Sequence, residues 1–259
     1  MNRDAYIRAP LPIQKDLERL FDLTAPLIIF DVGSCEGEDA IRYSRLFPNA
    51  TIYAFEPVPE NQALIRENLA KYQVRSVHLF EWALSDRDGS AKFHVSSGEP
   101  KDADPAADWT YGNKSSSLLP PDKCVEFHPW LNFKRSIDVP TRTLATVCDS
   151  LEVAAIDFMH LDVQGAELQV LRGAADKLQT CKAIWLEVET VALYADQPLK
   201  GDIEDFMCKA GFRKFKESMA GIAGDQLYLN KRHFASEPIW RKLLQAVPKM
   251  PFARKSVLE

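Results

Sequence analysis

Residues 27–57 read LIIFDVGSCEGEDAIRYSRLFPNATIYAFEP, and this stretch decides the fold. An apolar run stops at Asp31, a turn containing Gly33 and Gly37 follows, and a helical pattern comes next. A second apolar run then stops at Glu56. Strand, glycine turn, helix, strand and acid, in this order, are half of a nucleotide-binding α/β unit, in which an acid about 20 residues after the turn binds ribose hydroxyls.

The alternation of apolar runs and helical patterns continues along the chain and predicts an α/β fold. We expect a Rossmann-like, seven-stranded and mostly parallel sheet, with helices on both faces and the last strand antiparallel. The strands after the first two are predicted at residues 77–81, 156–162, 182–189, 212–215 and 226–229. An extra strand is predicted at 91–95.

Three parts of the chain are distinguished by these patterns: an N-terminal helical extension (1–26), a main domain (27–230) and a C-terminal extension (231–259). The last of these carries seven Lys or Arg against two Asp or Glu, and a helix is predicted within it at 236–246. A basic segment of this kind is usually a solvated face, and it can also contact an anionic surface.

Regular patterning stops between about residues 96 and 136, where several prolines and a run of serines occur. A loop of this length inside a compact domain is usually a lid or a binding loop. We interpret the segment as a lid or substrate-binding insertion, because it keeps aromatic side chains that need a packing partner: Trp109, Tyr111, Trp130 and Phe133.

Composition and charge narrow the class of protein. The net charge of −5 over 259 residues disfavours nucleic acid as a partner. The five cysteines form no C-x-x-C pair, which favours reduced thiols. No apolar run approaches the ~20 residues of a transmembrane helix, and no signal peptide is visible at the start. We therefore expect a cytoplasmic protein without a transmembrane segment; its oligomeric state is not indicated.

Acidic residues stand at the ends of the predicted parallel strands. In open α/β sheets, ligands bind in the crevice beyond the carboxyl ends of the strands. Five acids converging on one crevice therefore indicate a binding site rather than solvated strand ends: Asp31, Glu56, Glu81, Asp162 and Glu187.

Several motifs together resemble one family. These are FDVGSCEG (30–37), FEPVPEN (55–61), ALSDRDG (83–89), VPTRTL (139–144) and IDFMHLDVQGAELQVLRGA (156–174). Their order and spacing over about residues 27–230 are similar to those of the FkbM-type methyltransferases, a family of class I S-adenosylmethionine-dependent enzymes. The G-x-x-x-G turn fits this class better than the G-x-G-x-x-G turn of nicotinamide oxidoreductases.

The resemblance implies transfer of a methyl group from S-adenosylmethionine, with S-adenosylhomocysteine as product, often to a hydroxyl group. Family members act on polyketide, sugar and other natural-product hydroxyls, so a small-molecule or glycan acceptor is expected. It also implies a set of cofactor-binding residues: Asp31, Gly33, Ser34 and Gly37 at the amino-acid end, Glu56 and Pro57 at the ribose, Trp82 and Ala83 at the adenine, and Asp162.

An alcohol acceptor benefits from a base, and the resemblance leaves several candidates. Asp162 is the first, although a cofactor contact or a contact with the following helix would also explain it. Glu187 and His128 are further candidates, and Glu167 either matches the family's signature acid or caps its helix. Asp162 and Glu187 with a neighbouring oxygen would also suit Mg²⁺, but no metal site is assigned.

Two positions depart from the family's pattern. Cys35 stands where the family usually has Asn, and a thiol cannot replace both hydrogen bonds of an amide. A weaker hold on the cofactor would follow, which keeps open the alternative of a non-catalytic S-adenosylmethionine-binding protein. His160 stands where many members carry Lys, and we interpret it as a core histidine.

Overall fold

The computed structural model describes residues 2–104 and 108–234. Its strands, in chain order, are β1 (Ile28–Val32), β2 (Thr51–Phe55), β3 (Val77–Phe80), β4 (Ala83–Leu84), β5 (Gly89–Ser97), β6 (Asn132–Arg142), β7 (Ile156–Leu161), β8 (Cys181–Glu189), β9 (Phe212–Ala220) and β10 (Ala223–Asn230). Its helices are α1 (Arg3–Arg8), α2 (Gln14–Leu20), α3 (Glu38–Leu46), α4 (Pro59–Lys71), α5 (Cys124–Phe127), α6 (Leu144–Ser150), α7 (Glu167–Gly173) and α8 (Lys200–Lys209). Short 3-10 helices cover Tyr111–Ser115 and Ala175–Thr180.

Seven strands form the main sheet, in the order β3-β2-β1-β7-β8-β10-β9. Strands β1, β2, β3, β7 and β8 pair in parallel, whereas β10 is antiparallel to both β8 and β9. The predicted seven-stranded, mostly parallel sheet with an antiparallel last strand is therefore confirmed. The strand order reverses between β1 and β7, which is where open α/β sheets bind ligands.

Helices cover both faces of this sheet because its central strands are apolar on both sides. In β1, Ile29 packs in one core cluster with Leu17 of α2 and Tyr43 of α3. The next residue, Phe30, points to the opposite face and packs in a second cluster with Leu171 of α7. Successive side chains of a strand alternate between faces, so an uninterrupted apolar run is what a doubly covered strand requires.

A second, three-stranded sheet has the order β4-β6-β5, with β5 and β6 antiparallel. It corrects the prediction of an irregular segment over 96–136, because β6 begins at Asn132 and helices occur at Tyr111–Ser115 and Cys124–Phe127. The predicted extra strand at 91–95 is the middle of the longer β5. The residues of β5 and β6 are ordered by pairing between segments that are distant in sequence. The local pattern of apolar residues does not reveal such pairing.

Two element ends also differ from the predictions. Strand β3 ends at Phe80, and Glu81 lies outside it, exposed and paired with Arg66. Helix α7 ends at Gly173, and a 3-10 helix follows at Ala175–Thr180. The strand-end position of Glu81 in the predicted crevice is therefore wrong.

The N-terminal extension contains α1 and α2 and packs on the main domain. Leu11, Ile13 and Leu17 are buried in the core cluster that also holds α3. Arg3 of α1 forms a buried ion pair with Glu36 of the first turn. The predicted helix at 236–246 and nearly all of the basic C-terminal extension lie outside the described residues.

Two further observations concern the part of the chain that the structure describes. None of its helices combines the length and the apolar character that crossing a membrane requires. All five cysteines, which lie within this part, are free thiols.

Gly33 is the position at which we expect the fold to be least tolerant of a methyl group. Its φ is +87°, and a Cβ would lie 1.8 Å from the carbonyl oxygen of Asp162. We expect Gly33→Ala to lower the free energy of unfolding by about 2–5 kcal/mol, since backbone strain and overpacking add. Urea unfolding measures this change.

The matched control is Gly201→Ala, because nothing lies within 4 Å of a Cβ built on Gly201 in helix α8. This substitution should be neutral or should stabilise the protein by up to about 1 kcal/mol. Equal stability of the two variants would contradict the close approach at Gly33.

Candidate active site

A cavity opens at the carboxyl ends of β1, β2 and β7, at the switch point of the main sheet. The structure brings most of the predicted cofactor residues to its wall: Asp31, Gly33, Ser34, Glu56, Pro57, Trp82, Ala83 and Asp162. Gly37, Glu187 and His128 are not among the residues lining this cavity. His128 lies exposed after α5, where its ring faces Trp130 at 6.0 Å.

Each of the two glycines in the first turn is needed for a different structural reason. Gly33 lets the end of β7 approach, because the space of its missing Cβ is taken by the carbonyl of Asp162. Gly37 precedes α3 with a φ of +79°, and a Cβ there would lie 3.3 Å from Ile65. A left-handed backbone is costly for residues with a Cβ, so turn geometry alone requires glycine at Gly37.

Glu56 is buried at the end of β2, with its carboxylate oxygens held by the backbone. One oxygen accepts a hydrogen bond from the Cys35 N–H at 3.0 Å, and the other from the Val58 N–H at 2.8 Å. Burial raises the pKa of this carboxyl to about 8. The Asn61 side chain is a third donor to this carboxyl, which still keeps acceptor capacity for a ligand hydroxyl.

Asp31 forms a pair with His160 across β1 and β7. The Nδ1 of His160 lies 3.0 Å from Oδ1 of Asp31. Burial alone would lower the pKa of His160, but the hydrogen bond and the charge of Asp31 raise it to about 9. His160 is therefore a cation on the cavity wall, which corrects its interpretation as a core histidine.

The second oxygen of Asp31 is buried and has no hydrogen-bond partner. A buried unpaired carboxylate oxygen is costly, and a bound ammonium group would satisfy it. Because Asp31 lines the cavity next to the first turn, this oxygen fits the amino group of an amino-acid ligand.

An apolar wall closes the side of the cavity beyond Glu56. Trp82 and Ala83 follow β3, and Leu84 and Phe93 lie beside them. The Trp82 ring packs on Phe80 at a centroid distance of 4.9 Å, and Arg142 lies over it at 5.6 Å. A flat heterocycle fits against such a wall.

The other end of the cavity is acidic. Asp162 lines the wall, and Gln164 joins it to Glu187: the Gln164 amide nitrogen lies 2.8 Å from Oδ1 of Asp162 and 2.7 Å from Oε2 of Glu187. Burial and the charge of Asp162 raise the pKa of Glu187 well above its usual range. The structure thus places Glu187 behind Asp162 rather than on the cavity wall.

Neighbouring carboxyls extend this acidic corner. Burial together with the charge of Asp162 raises the pKa of Glu189 to about 7, and burial raises that of Asp225 to about 6. Glu167 is buried and accepts hydrogen bonds from the N–H groups of Val163 at 3.0 Å and Gly165 at 3.3 Å. These contacts hold the turn that precedes α7, and the signature and capping roles of Glu167 stay predictions.

Among the described residues, no group of three or more His, Cys, Asp or Glu side chains is arranged to hold a metal ion.

Four functional residues escaped the sequence analysis. Lys114 and Asn113 of the insertion and Tyr6 of α1 line the cavity, and the buried Glu36 fastens the insertion to the first turn. Glu36 accepts hydrogen bonds from the Thr110 N–H at 3.1 Å and from the Asn113 amide at 2.9 Å. Sequence periodicity does not link residues of α1, the first turn and the insertion, because they are far apart in the chain. The one local signal is the position of Glu36, an acid between two glycines of the first turn.

The insertion contributes three polar side chains and one leucine to the cavity wall, while two of its aromatic rings pack elsewhere. Asn113, Lys114, Ser116 and Leu118 line the wall. Trp109 packs edge-on against Tyr6 at 5.3 Å, and Phe133 packs against Tyr194 at 6.4 Å. The aromatic rings of the insertion therefore hold it in place against α1 and the main domain.

Comparison with known proteins agrees with the geometry. The model of the methyltransferase FkbM domain matches residues 31–214. The 2-O-methyltransferase NoeI of Sinorhizobium fredii is 34% identical over 230 residues, which are 87% of this chain and 89% of that protein. Methyltransferase 1 of Beauveria bassiana is 23% identical over 150 residues, 58% of this chain and 59% of that protein. The crystal structure of precorrin-6y C5,15-methyltransferase from Geobacter metallireducens has a TM-score of 0.46 at 15% identity, over 86% of this chain and 93% of that one.

The matched methyltransferase domain, on a Rossmann-like sheet with a cavity at its switch point, makes this chain an S-adenosylmethionine-dependent methyltransferase. Within this class, the chain belongs to the FkbM methyltransferase family, as the matched domain and the 34% identical relative show.

The pairing of Asp31 with His160 generates a prediction about stability and pH. Because the pKa of His160 rises from 6.5 to about 9 on folding, its protonated form stabilises the protein fully below pH 6.5. This contribution is lost as the pH rises through about 9. We expect His160→Gln to remove about 1–3 kcal/mol of unfolding free energy at low pH, and less as the pH rises.

Urea unfolding of both proteins at a series of pH values measures this difference. His78→Gln is the matched control, since His78 is exposed on β3. A stability difference for His160→Gln that stays constant with pH would contradict a charged pair with Asp31.

Proposed function

We propose that this enzyme transfers the methyl group of S-adenosylmethionine to a hydroxyl group of a small-molecule, natural-product or sugar acceptor. The observation that carries the proposal is one cavity that brings Asp31, Glu56 and Trp82 together with Asp162, behind which Glu187 is held by Gln164. The 34% identical relative named a 2-O-methyltransferase supports oxygen as the acceptor atom.

The cofactor end of the cavity supplies a partner for each part of S-adenosylmethionine. Glu56 would accept hydrogen bonds from the ribose hydroxyls, and the unpaired oxygen of Asp31 would accept one from the ammonium group. Lys114, on the same wall as the first turn, would attract the carboxylate. The wall formed by Trp82 and Ala83 would hold the adenine.

The acceptor end must orient a hydroxyl group and remove its proton. When bound, S-adenosylmethionine supplies a methyl group made electrophilic by its sulfonium. Positioning of the acceptor by the protein can contribute ~7–11 kcal/mol, and a general base a further factor of roughly 100 to 10,000. Asp162 is the carboxylate on the cavity wall at this end, so we assign it the base role, with Glu187 behind it.

Glu56 provides the test of the cofactor assignment. We expect Glu56→Gln to lower the affinity for S-adenosylmethionine and S-adenosylhomocysteine by about 10- to 150-fold, because the amide replaces one acceptor oxygen by a donor that faces a backbone N–H group. Calorimetric titration measures both affinities. Glu81→Gln is the matched control, since Glu81 is an exposed acid beyond β3 that pairs with Arg66.

Unchanged affinity in Glu56→Gln would remove Glu56 from the ribose site. No binding of either compound to the unaltered protein would overturn the proposed cofactor end as a whole.

Asp162 provides the test of the catalytic assignment. Radiolabelled methyl transfer is measured on a panel of monosaccharides, their methyl glycosides and phenolic compounds, with and without Mg²⁺. On an acceptor that the unaltered enzyme methylates, we expect Asp162→Asn to lower kcat by about 100- to 10,000-fold, with the Kd of S-adenosylmethionine nearly unchanged. Asp138→Asn, on the exposed part of β6, is the control.

A variant that loses cofactor affinity but keeps kcat would make Asp162 a cofactor ligand instead of the base. If no acceptor of the panel is methylated although the cofactor binds, the hydroxyl acceptor class is wrong.

A further inference from the structure

Gln164 lies in the turn between β7 and α7, with a left-handed backbone at a φ of +54°. This conformation is uncommon for a residue with a Cβ and is kept where the surroundings demand it. Here the demand comes from its side chain, whose amide nitrogen lies 2.8 Å from Asp162 Oδ1 and 2.7 Å from Glu187 Oε2. The two hydrogens of one amide group thus serve two carboxylates.

Tyr194 determines which way this amide faces. Its buried hydroxyl lies 3.2 Å from Oε1 of Gln164 and 2.8 Å from the carbonyl oxygen of Ser115. Its single hydrogen can be donated to either of these oxygens, and the oxygen end of the amide lies toward Tyr194 while the nitrogen end lies toward the acids. Rotating the amide would set its carbonyl oxygen against two carboxylates, which is repulsive.

The same residues connect the acids to the insertion. The hydroxyl of Ser117 donates to the backbone carbonyl of Gln164 at 2.8 Å, and the Tyr194 hydroxyl reaches Ser115. The insertion also carries Asn113 and Lys114, which line the cavity. A single chain of hydrogen bonds therefore runs from Ser115 of the insertion through Tyr194 and Gln164 to Asp162.

We propose that Gln164 is a positioning residue for methyl transfer: oriented by Tyr194, its amide holds Asp162 and Glu187 in one arrangement in which Asp162 faces the acceptor. The inference rests on the proposed function, because it assumes that Asp162 acts on the acceptor. Through Ser115 and Tyr194, the insertion would then determine whether the Asp162 carboxylate is aligned with the acceptor.

The charges around the amide explain why a neutral donor is needed there. Burial, together with the charge of Asp162, raises the pKa values of Glu187, Glu189 and Asp225, which crowd this corner. An amide donates hydrogen bonds to two carboxylates without adding charge. A lysine would neutralise one of them, and its ammonium group would compete with the acceptor's hydroxyl group for the carboxylate.

The first test uses Gln164→Met, which keeps the length of the side chain and removes both donors. Carboxyl-carbon NMR, with Glu187→Gln for assignment, follows the titration of Glu187. We expect this titration to move to higher pH in Gln164→Met, because the ionised carboxylate loses its amide donor. Tyr194→Phe should move it in the same direction by a smaller amount.

The second test measures methyl transfer to an acceptor from the panel that the unaltered enzyme methylates. We expect kcat to fall by up to about 100-fold in Gln164→Met, with the KM for S-adenosylmethionine nearly unchanged, since a misplaced base affects the chemical step. Gln164→Glu donates only while protonated, so its activity should fall further as pH rises, unlike that of Gln164→Met.

Gln169→Met is the matched control, because Gln169 is a partly buried glutamine of α7 whose side chain contacts Ser85 rather than the acids. Thermal melting establishes that each variant is folded, and Tyr194→Phe replaces Gln164→Met if the latter is not. An unchanged carboxyl titration in both variants would overturn the proposal. This titration needs no acceptor, so it decides about Gln164 even if the proposed hydroxyl acceptors fail.

Discussion

The close approach of the first turn to the end of β7 is the constraint on which the site depends. The Asp162 N–H donates to the carbonyl of Val32 at 3.0 Å, and the Asp162 carbonyl occupies the space that a side chain at Gly33 would need. On the other side, the Gly33 N–H donates to the carbonyl of Phe55 at 3.1 Å. These contacts hold the ends of β1, β2 and β7 together, so that Asp31, Glu56 and Asp162 share one cavity although they come from distant parts of the chain.

Buried acids crowd this cavity, and each of their negative charges needs a stabilising partner. The structure supplies three kinds of partner. Asp31 has the cation of His160, Glu56 has two backbone N–H groups, and Asp162 shares the amide of Gln164. The compensation is incomplete, since burial still raises the pKa of Glu56 to about 8. A cavity in which ionised carboxylates are costly is stabilised by a cationic ligand, and S-adenosylmethionine carries both a sulfonium and an ammonium group.

The main sheet could be predicted from the sequence because its central strands are buried on both faces, which leaves uninterrupted apolar runs such as 27–30. The acids that follow these runs could be placed in one crevice, because parallel strands end at the same edge of a sheet. Of the second sheet only a strand at 91–95 could be predicted, since β5 and β6 are partly exposed and gain their full length from pairing with each other across the insertion. The contact of Glu36 with Asn113 depends on that same long-range pairing, and no local pattern signals it.

Cys35 shows how a departure in sequence can leave the backbone contact with Glu56 in place. Its φ is +49°, in the left-handed region where Asn is tolerated better than most residues, which fits the Asn expected at this position by resemblance. The group that holds Glu56, however, is the backbone N–H of Cys35, which any residue in this conformation supplies. The thiol itself lies 4.0 Å from the carbonyl oxygen of Asn113, and burial raises its pKa, so it adds no charge to a cavity already rich in acids. The substitution therefore changes the wall next to the insertion, while the orientation of the ribose-type acid follows from the backbone of the turn.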